Sequence, residues 1–253
     1  ITIRVPFIVG LGINYIRIKK RDMVMKKNNC YKYPKTQREK IEGKRHYVFD
    51  KEKLPSVTTI LDATQPAEKR ESLERWKARV GEEAAEKIKT SAAERGTAMH
   101  KILEKYVLEQ GYLDETSVGK QAHNMAIQII QSGLSNVTEY YGTECTLYYP
   151  GLYAGQTDLV GIHKGEDAII DFKQSNKPKR PEWIGDYKLQ LAAYAMAHNI
   201  LFNTQITKGV VMMCTVDNYY QEFIIEGEEF KQSMHNFLRR VDEYYSSRSK
   251  TSG

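Results

Sequence analysis

The feature that most restricts the fold is a change of texture near residue 137. From about residue 56 to residue 131, apolar residues recur at helical spacing. From Val137 onward, short runs rich in aromatic and branched residues take over. Pro55 to Leu61 reads as a helix start, with Ser56 as its cap. Pro66 opens a second helix through Arg79, and Gly81 ends it. A long helical stretch follows over 82–110, stopped by Gly111. Another over 117–131 sets Ala122, Met125, Ile129 and Ile130 on one side. His46 to Phe49, Val137 to Tyr149 and Leu152 to Ile162 read as strands, and Ala168 to Lys173 as a short central one. Tyr187 to Leu201 is a helix. Residues 206–215 and 219–225 are a strand pair around Asp217-Asn218, and 228–246 form a final amphipathic helix. Helices first, then a sheet, then the two mixed, indicate one α/β or mixed α+β domain over 46–246 with a helical N-terminal part. Residues 1–45 read as a basic arm without fixed structure, and 247–253 as a polar tail.

Composition narrows the class. The 253 residues can bury a real core. The net charge is +6 and the pI near 9.0, which favours a polyanionic partner such as nucleic acid. The apolar run from Val5 to Ile16 is broken by Pro6, Gly10, Gly12 and Asn14. It is too short for a membrane span, which needs roughly 18 residues. Residues 1–20 carry no acidic side chain, as a transit peptide would. A start at Met23 or Met25 is the preferred reading, which makes residues 1–22 dispensable. Cys30, Cys145 and Cys214 lie too far apart for a metal-binding pair and read as reduced thiols. Reduced thiols suit a reducing compartment such as the cytoplasm.

The chemistry concentrates at four places. Asp158 and Asp171 each end an apolar run, where a carboxylate is costly unless compensated. A turn at Lys164-Gly165 would bring both to one end of a hairpin, where oxygen ligands suit Mg²⁺ or Mn²⁺. Two aspartates capping turns are the plainer alternative. Lys173 lies two residues from Asp171, so on a strand both share a face. There the ammonium would orient a water or offset phosphate charge; an ordinary surface ion pair is the alternative. His100 follows Gly96 at i, i+4, as Tyr194 follows Gln190. Alone, the first is a structural histidine and the second a polar stripe.

Taken together, Gly96 to His100 (GxxxH), Gly155 to Asp158 (GxxD), Asp171-Phe172-Lys173 (DxK) and Gln190 to Tyr194 (QxxxY) resemble the RecB-like branch of the PD-(D/E)XK nucleases. Pro55 to Thr58, Glu74 to Lys77 and Lys173 to Lys179 resemble more narrowly the mitochondrial genome maintenance exonucleases and their phage relatives, over roughly residues 54–245. The resemblance implies a restriction-endonuclease-like core, a mixed β-sheet flanked by helices. It implies DNA cleavage with Mg²⁺ or Mn²⁺ and a preference for single strands with free ends. His100, Asp158 and Asp171 would be metal ligands, with the Phe172 carbonyl a further one. Lys173 would be the catalytic lysine, with Gln190 supporting it and Tyr194 beside it. Glu144 corresponds to an acidic residue that some members keep near the site. The four-cysteine iron–sulfur cluster of several relatives is not expected with only three cysteines. Lys177, Lys179, Arg180, Trp183 and Tyr187 interleave cations and rings as a DNA path would. Arg75, Trp76 and Lys77 are further candidates, although Trp76 reads better as core.

The function expected is a metal-dependent exonuclease acting on single-stranded DNA in replication, recombination or repair. A nuclease for duplex ends and a DNA-binding module without catalysis are the alternatives. The oligomeric state does not follow from the sequence.

Overall fold

The computed structural model describes residues 2–9, 12–19, 25–50 and 52–249. Strands β1 (Thr2–Val9) and β2 (Gly12–Lys19) pair antiparallel as a separate hairpin. A short β3 (Lys26–Lys27) joins the edge of the main sheet. Strands β4 (Gln37–Ile41), β5 (Lys44–Val48) and β6 (Lys53–Pro55) form a small antiparallel sheet. Residues 37–45 are therefore a built hairpin rather than part of a mobile arm. Glu42 and Gly43, both at positive φ (51° and 75°), make its tight turn.

The helical part follows as expected: α1 (Val57–Ala63), α2 (Ala67–Val80), α3 (Glu82–Val107) and α4 (Ser117–Ser132). Ser56 caps α1 by accepting from the Thr59 N–H at 3.0 Å. Helix α2 buries none of its residues, so Trp76 is not core. With Leu73 and Trp76 among charged neighbours, α2 has too narrow an apolar stripe to dock a face.

Next come β7 (Val137–Tyr149), β8 (Tyr153–His163), β9 (Glu166–Ser175), α5 (Gly185–Phe202), β10 (Gly209–Thr215), β11 (Tyr220–Ile225) and α6 (Gly227–Ser249). The main sheet runs β11-β10-β9-β8-β7-β3. β7, β8 and β9 form an antiparallel meander, while β10 runs parallel to β9 after the α5 crossover. It is a mixed sheet flanked by helices. On one face Ala168, Ile170 and Phe172 of β9 pack with Met99 and Leu103 of α3 and Met125 and Ile129 of α4. On the other, Ile169 packs with Leu191 and Ala195 of α5, Phe237 of α6 and Ile60 of α1. Burial on both faces explains why β9 reads as a continuous apolar run rather than an alternating one.

Candidate active site

The site opens where β8 and β9 part. Their ladder runs from His163↔Glu166 to Leu159↔Ile170, and the same register sets Asp158 opposite Asp171. Ladder pairing ends there. The Asp158 side chain takes over, its Oδ2 accepting from the Phe172 N–H at 2.6 Å. Its Oδ1 lies 3.1 Å from His100 Nδ1, delivered from α3. Lys173 Nζ rests against Asp171 Oδ2 and lies 5.0 Å from the centre of the Tyr187 ring. The hairpin thus brings together His100, Asp158, Asp171 and Lys173.

A fifth group joins them through an unusual backbone. Glu144 lies within β7 yet has φ of 51°, a left-handed conformation for a residue with a side chain. Such a conformation costs on the order of 1–3 kcal/mol and persists where its surroundings enforce it. Here Gln156 Nε2 donates to the Glu144 carbonyl at 2.8 Å, and Thr143 Oγ1 donates to the Asp158 carbonyl at 2.9 Å. Glu144, His100 and Asp158 offer ligand atoms that all lie within 4.8 Å of one another. One imidazole and carboxylate oxygens at this spacing make a donor set that fits a hard divalent cation.

The electrostatics match so crowded a cluster. Burial works to raise the Asp158 carboxyl, but His100, Lys173 and the Phe172 N–H outweigh it and hold it below the ordinary range. Asp171 is pushed up to about 6 by burial, with Asp158 adding and Lys173 opposing. Glu144 is pushed up to about 7, mainly by burial and then by Asp158. Burial disfavours a charged His100, yet Asp158 raises it to about 9. Three carboxylates share this space with two cationic side chains.

The motif residues interlock. Gly155 of β8 faces Tyr194 of α5, and a Cβ there would collide with the ring. Gln190 Nε2 donates to Tyr194 Oη at 3.0 Å, so GxxD and QxxxY pack as one unit. Gly96 is different: an added Cβ would meet Gln174 Cγ at an ordinary 3.5 Å, so packing does not require glycine there. Arg95, one residue earlier, belongs to none of the four motifs. It is buried, and its guanidinium donates to Gln174, Asn176 and Gln121. The bonds to Gln174 and Asn176 tie the His100 helix to the chain just beyond Lys173, and the one to Gln121 ties it to α4.

The groups line a cleft of about 1110 Å³ together with Gln190, Tyr194, Lys101, Glu104 and Tyr112. Lys177, Lys179, Arg180 and Trp183 lie beyond β9 and do not line it. Trp183 is 60% exposed, with the Arg180 guanidinium 5.3 Å from its ring. The cleft wall instead takes Arg38, Arg45 and Tyr47 from the small sheet. In the sequence they are signalled by the short strand read at His46 to Phe49, after the Glu42-Gly43 turn.

A mixed sheet whose antiparallel hairpin presents Asp, Asp and Lys beside a helical histidine defines the PD-(D/E)XK-like nucleases, and the chain belongs among them. No family model matches it. It is 30% identical over 205 residues to mitochondrial genome maintenance exonuclease 1 of Mus musculus, covering 76% of this chain and 59% of that protein. It is 28% identical over 200 residues to the Homo sapiens protein of that name, covering 76% and 58%. The chain therefore spans somewhat under three fifths of the length of these curated relatives. A solved Eubacterium rectale protein, described as a candidate exonuclease, aligns over 62% of this chain and 68% of that one, with 9% identity and a TM-score of 0.44.

Proposed function

We propose that the chain is a metal-dependent deoxyribonuclease that removes nucleotides from free ends of single-stranded DNA, in replication, recombination or repair. The observation that carries this reading is the meeting of His100, Glu144 and Asp158 within 4.8 Å, beside the Asp171–Lys173 pair, in one cleft. The exonuclease names of the curated relatives support the same reaction class.

His100, Glu144, Asp158 and Asp171 would hold Mg²⁺ or Mn²⁺, with the Phe172 carbonyl as a further ligand. When bound, the cation supplies an acidified water and offsets charge on the phosphate. Asp158 keeps the His100 ring oriented. Lys173 is aimed by Asp171 and stands ready to direct a water or to offset charge growing on the phosphate oxygens. Gln190 and Tyr194 hold the wall behind it. Lys177, Lys179, Arg180, Trp183 and Tyr187 carry the strand as it leaves, by phosphate contacts and ring stacking. The cysteines Cys30, Cys145 and Cys214 are free thiols, which suits a reducing compartment, and we place the protein in the cytoplasm. No helix among the described residues is long and apolar enough to cross a membrane.

The test uses three labelled substrates with Mg²⁺. Linear single strands should be degraded, blunt duplex more slowly, and single-stranded circles hardly at all. Rapid cutting of circles would overturn the dependence on ends, and inertness toward all three would overturn the nuclease reading.

A further inference from the structure

The small sheet of β4, β5 and β6 has an unequal charge distribution across its two faces. Pairing of Arg38 with Tyr47 and of Lys40 with Arg45 puts all four side chains on one face, since alternate residues of a strand share a side. Arg38, Arg45 and Tyr47 of that face line the cleft. On the opposite face, Lys53 pairs with Glu39 at 2.7 Å. Among the described residues, Arg38, Lys40 and Arg45 have no ion-pair or hydrogen-bond partner. Arg38 makes a ring contact, 5.6 Å from the Tyr47 centroid, and acts on the Glu144 carboxyl through space.

Like charges directly opposite on a sheet destabilise it, as Lys40 and Arg45 do here. An anion between them would remove that cost. The sheet is also firmly mounted. The Arg45 carbonyl accepts from the Ser56 N–H at 3.0 Å and from Thr59 Oγ1 at 2.9 Å. Tyr47 and Leu54 are buried against Ala154 of β8, the strand that carries Asp158. Cations fixed to the strand that bears the reacting groups hold their distance from the site.

We propose that this face is a phosphate-gripping wall, with Arg38, Lys40 and Arg45 holding the sugar–phosphate backbone of the DNA strand in the cleft. The proposal rests on the nuclease reading and adds how that cleft takes its substrate. Each cation that neutralises a phosphate of a single strand contributes about 0.7 to the slope of log affinity against log salt.

The test is fluorescence anisotropy with a labelled single-stranded oligonucleotide in Ca²⁺, from low to moderate salt. R38Q/R45Q should lower the slope by about 1.4, two contacts at about 0.7 each. K44Q/K53Q removes the same charge from the outer face and should leave the slope near the wild-type value. R38K/R45K keeps the cations and should restore the slope, which separates charge from any packing role. An unchanged slope for R38Q/R45Q, or equal losses for both glutamine pairs, would overturn the wall. A wild-type protein that neither binds nor cuts DNA would instead overturn the nuclease reading.

Discussion

The floor and the wall of the cleft are built by different means. The floor is the β8–β9 hairpin, where Asp158, Asp171 and Lys173 are buried or nearly so and bonded to one another or to His100. The wall is the β4–β5–β6 sheet, whose Arg38 and Arg45 are exposed and lack polar partners among the described residues. A floor of coupled charges suits reacting atoms, because removing any one leaves another uncompensated. A wall of independent cations suits a long flexible anion, because each contact adds a small share. Damage to the floor should therefore be abrupt and damage to the wall graded.

The largest expected difference is at Lys173. Lys173→Ala should cut the cleavage rate by about 10²–10³, the cost of losing one group that stabilises developing charge. Affinity for DNA in Ca²⁺ should stay near the wild-type value. Single-turnover cleavage and anisotropy separate the two, and a near-normal rate would remove Lys173 from the floor.

A second difference concerns how the wall is anchored. Tyr31 and Tyr33, just before β4, pack on His198 and Phe202 of α5. His198 Nε2 lies 3.3 Å from Tyr33 Oη, and its Nδ1 2.8 Å from Thr204 Oγ1. Burial pushes this histidine down to about 4, with Asp167 opposing weakly. The unfolded chain then binds a proton below about pH 6.5 that the folded chain refuses. The contribution of His198 should fall as pH drops from about 6.5 toward 4, by up to about 3 kcal/mol. The raised carboxyls of Asp171 and Glu144 act in the opposite sense over that range, so the His198 contribution is read as the difference between wild type and His198→Gln. Urea melts across that window measure the loss. Amide exchange should show residues 31–48 opening before β8 and β9, whereas simultaneous opening would mean that wall and floor unfold as one.

The third effect is smaller and lies within the floor. Gly155→Ala should cost about 1–3 kcal/mol, because the new methyl group must displace the Tyr194 ring. Gly96→Ala should cost little, since that position has room. Equal melting temperatures for the two variants would contradict the interlock of GxxD with QxxxY.

The same contrast explains what the sequence makes legible. Helix starts at Ser56 and Pro66 and the end at Gly81 follow from local chemistry, as does the turn at Lys164-Gly165 between β8 and β9. The floor is legible because two strands and a turn fix the spacing of Asp158, Asp171 and Lys173. The wall is not, because Gln37–Ile41 is too polar to look like a strand, and tertiary contacts at Tyr47 and Leu54 decide its place. Glu144 is hard to assign for a further reason. Strand alternation governs where most β7 side chains point, but its left-handed backbone breaks that rule. Trp76 misleads in the opposite direction, since a large ring reads as core but α2 buries nothing.

The most direct test of the central claim is cleavage of an end-labelled single strand by wild-type protein and by Asp158→Asn, with Mg²⁺ and again with excess EDTA. Asp158 is the right probe, because it holds His100 and the Phe172 N–H at once. The account predicts stepwise shortening by wild type in Mg²⁺, none in EDTA, and almost none by the variant. Undiminished cleavage in EDTA, or a wild-type rate from Asp158→Asn, would contradict it.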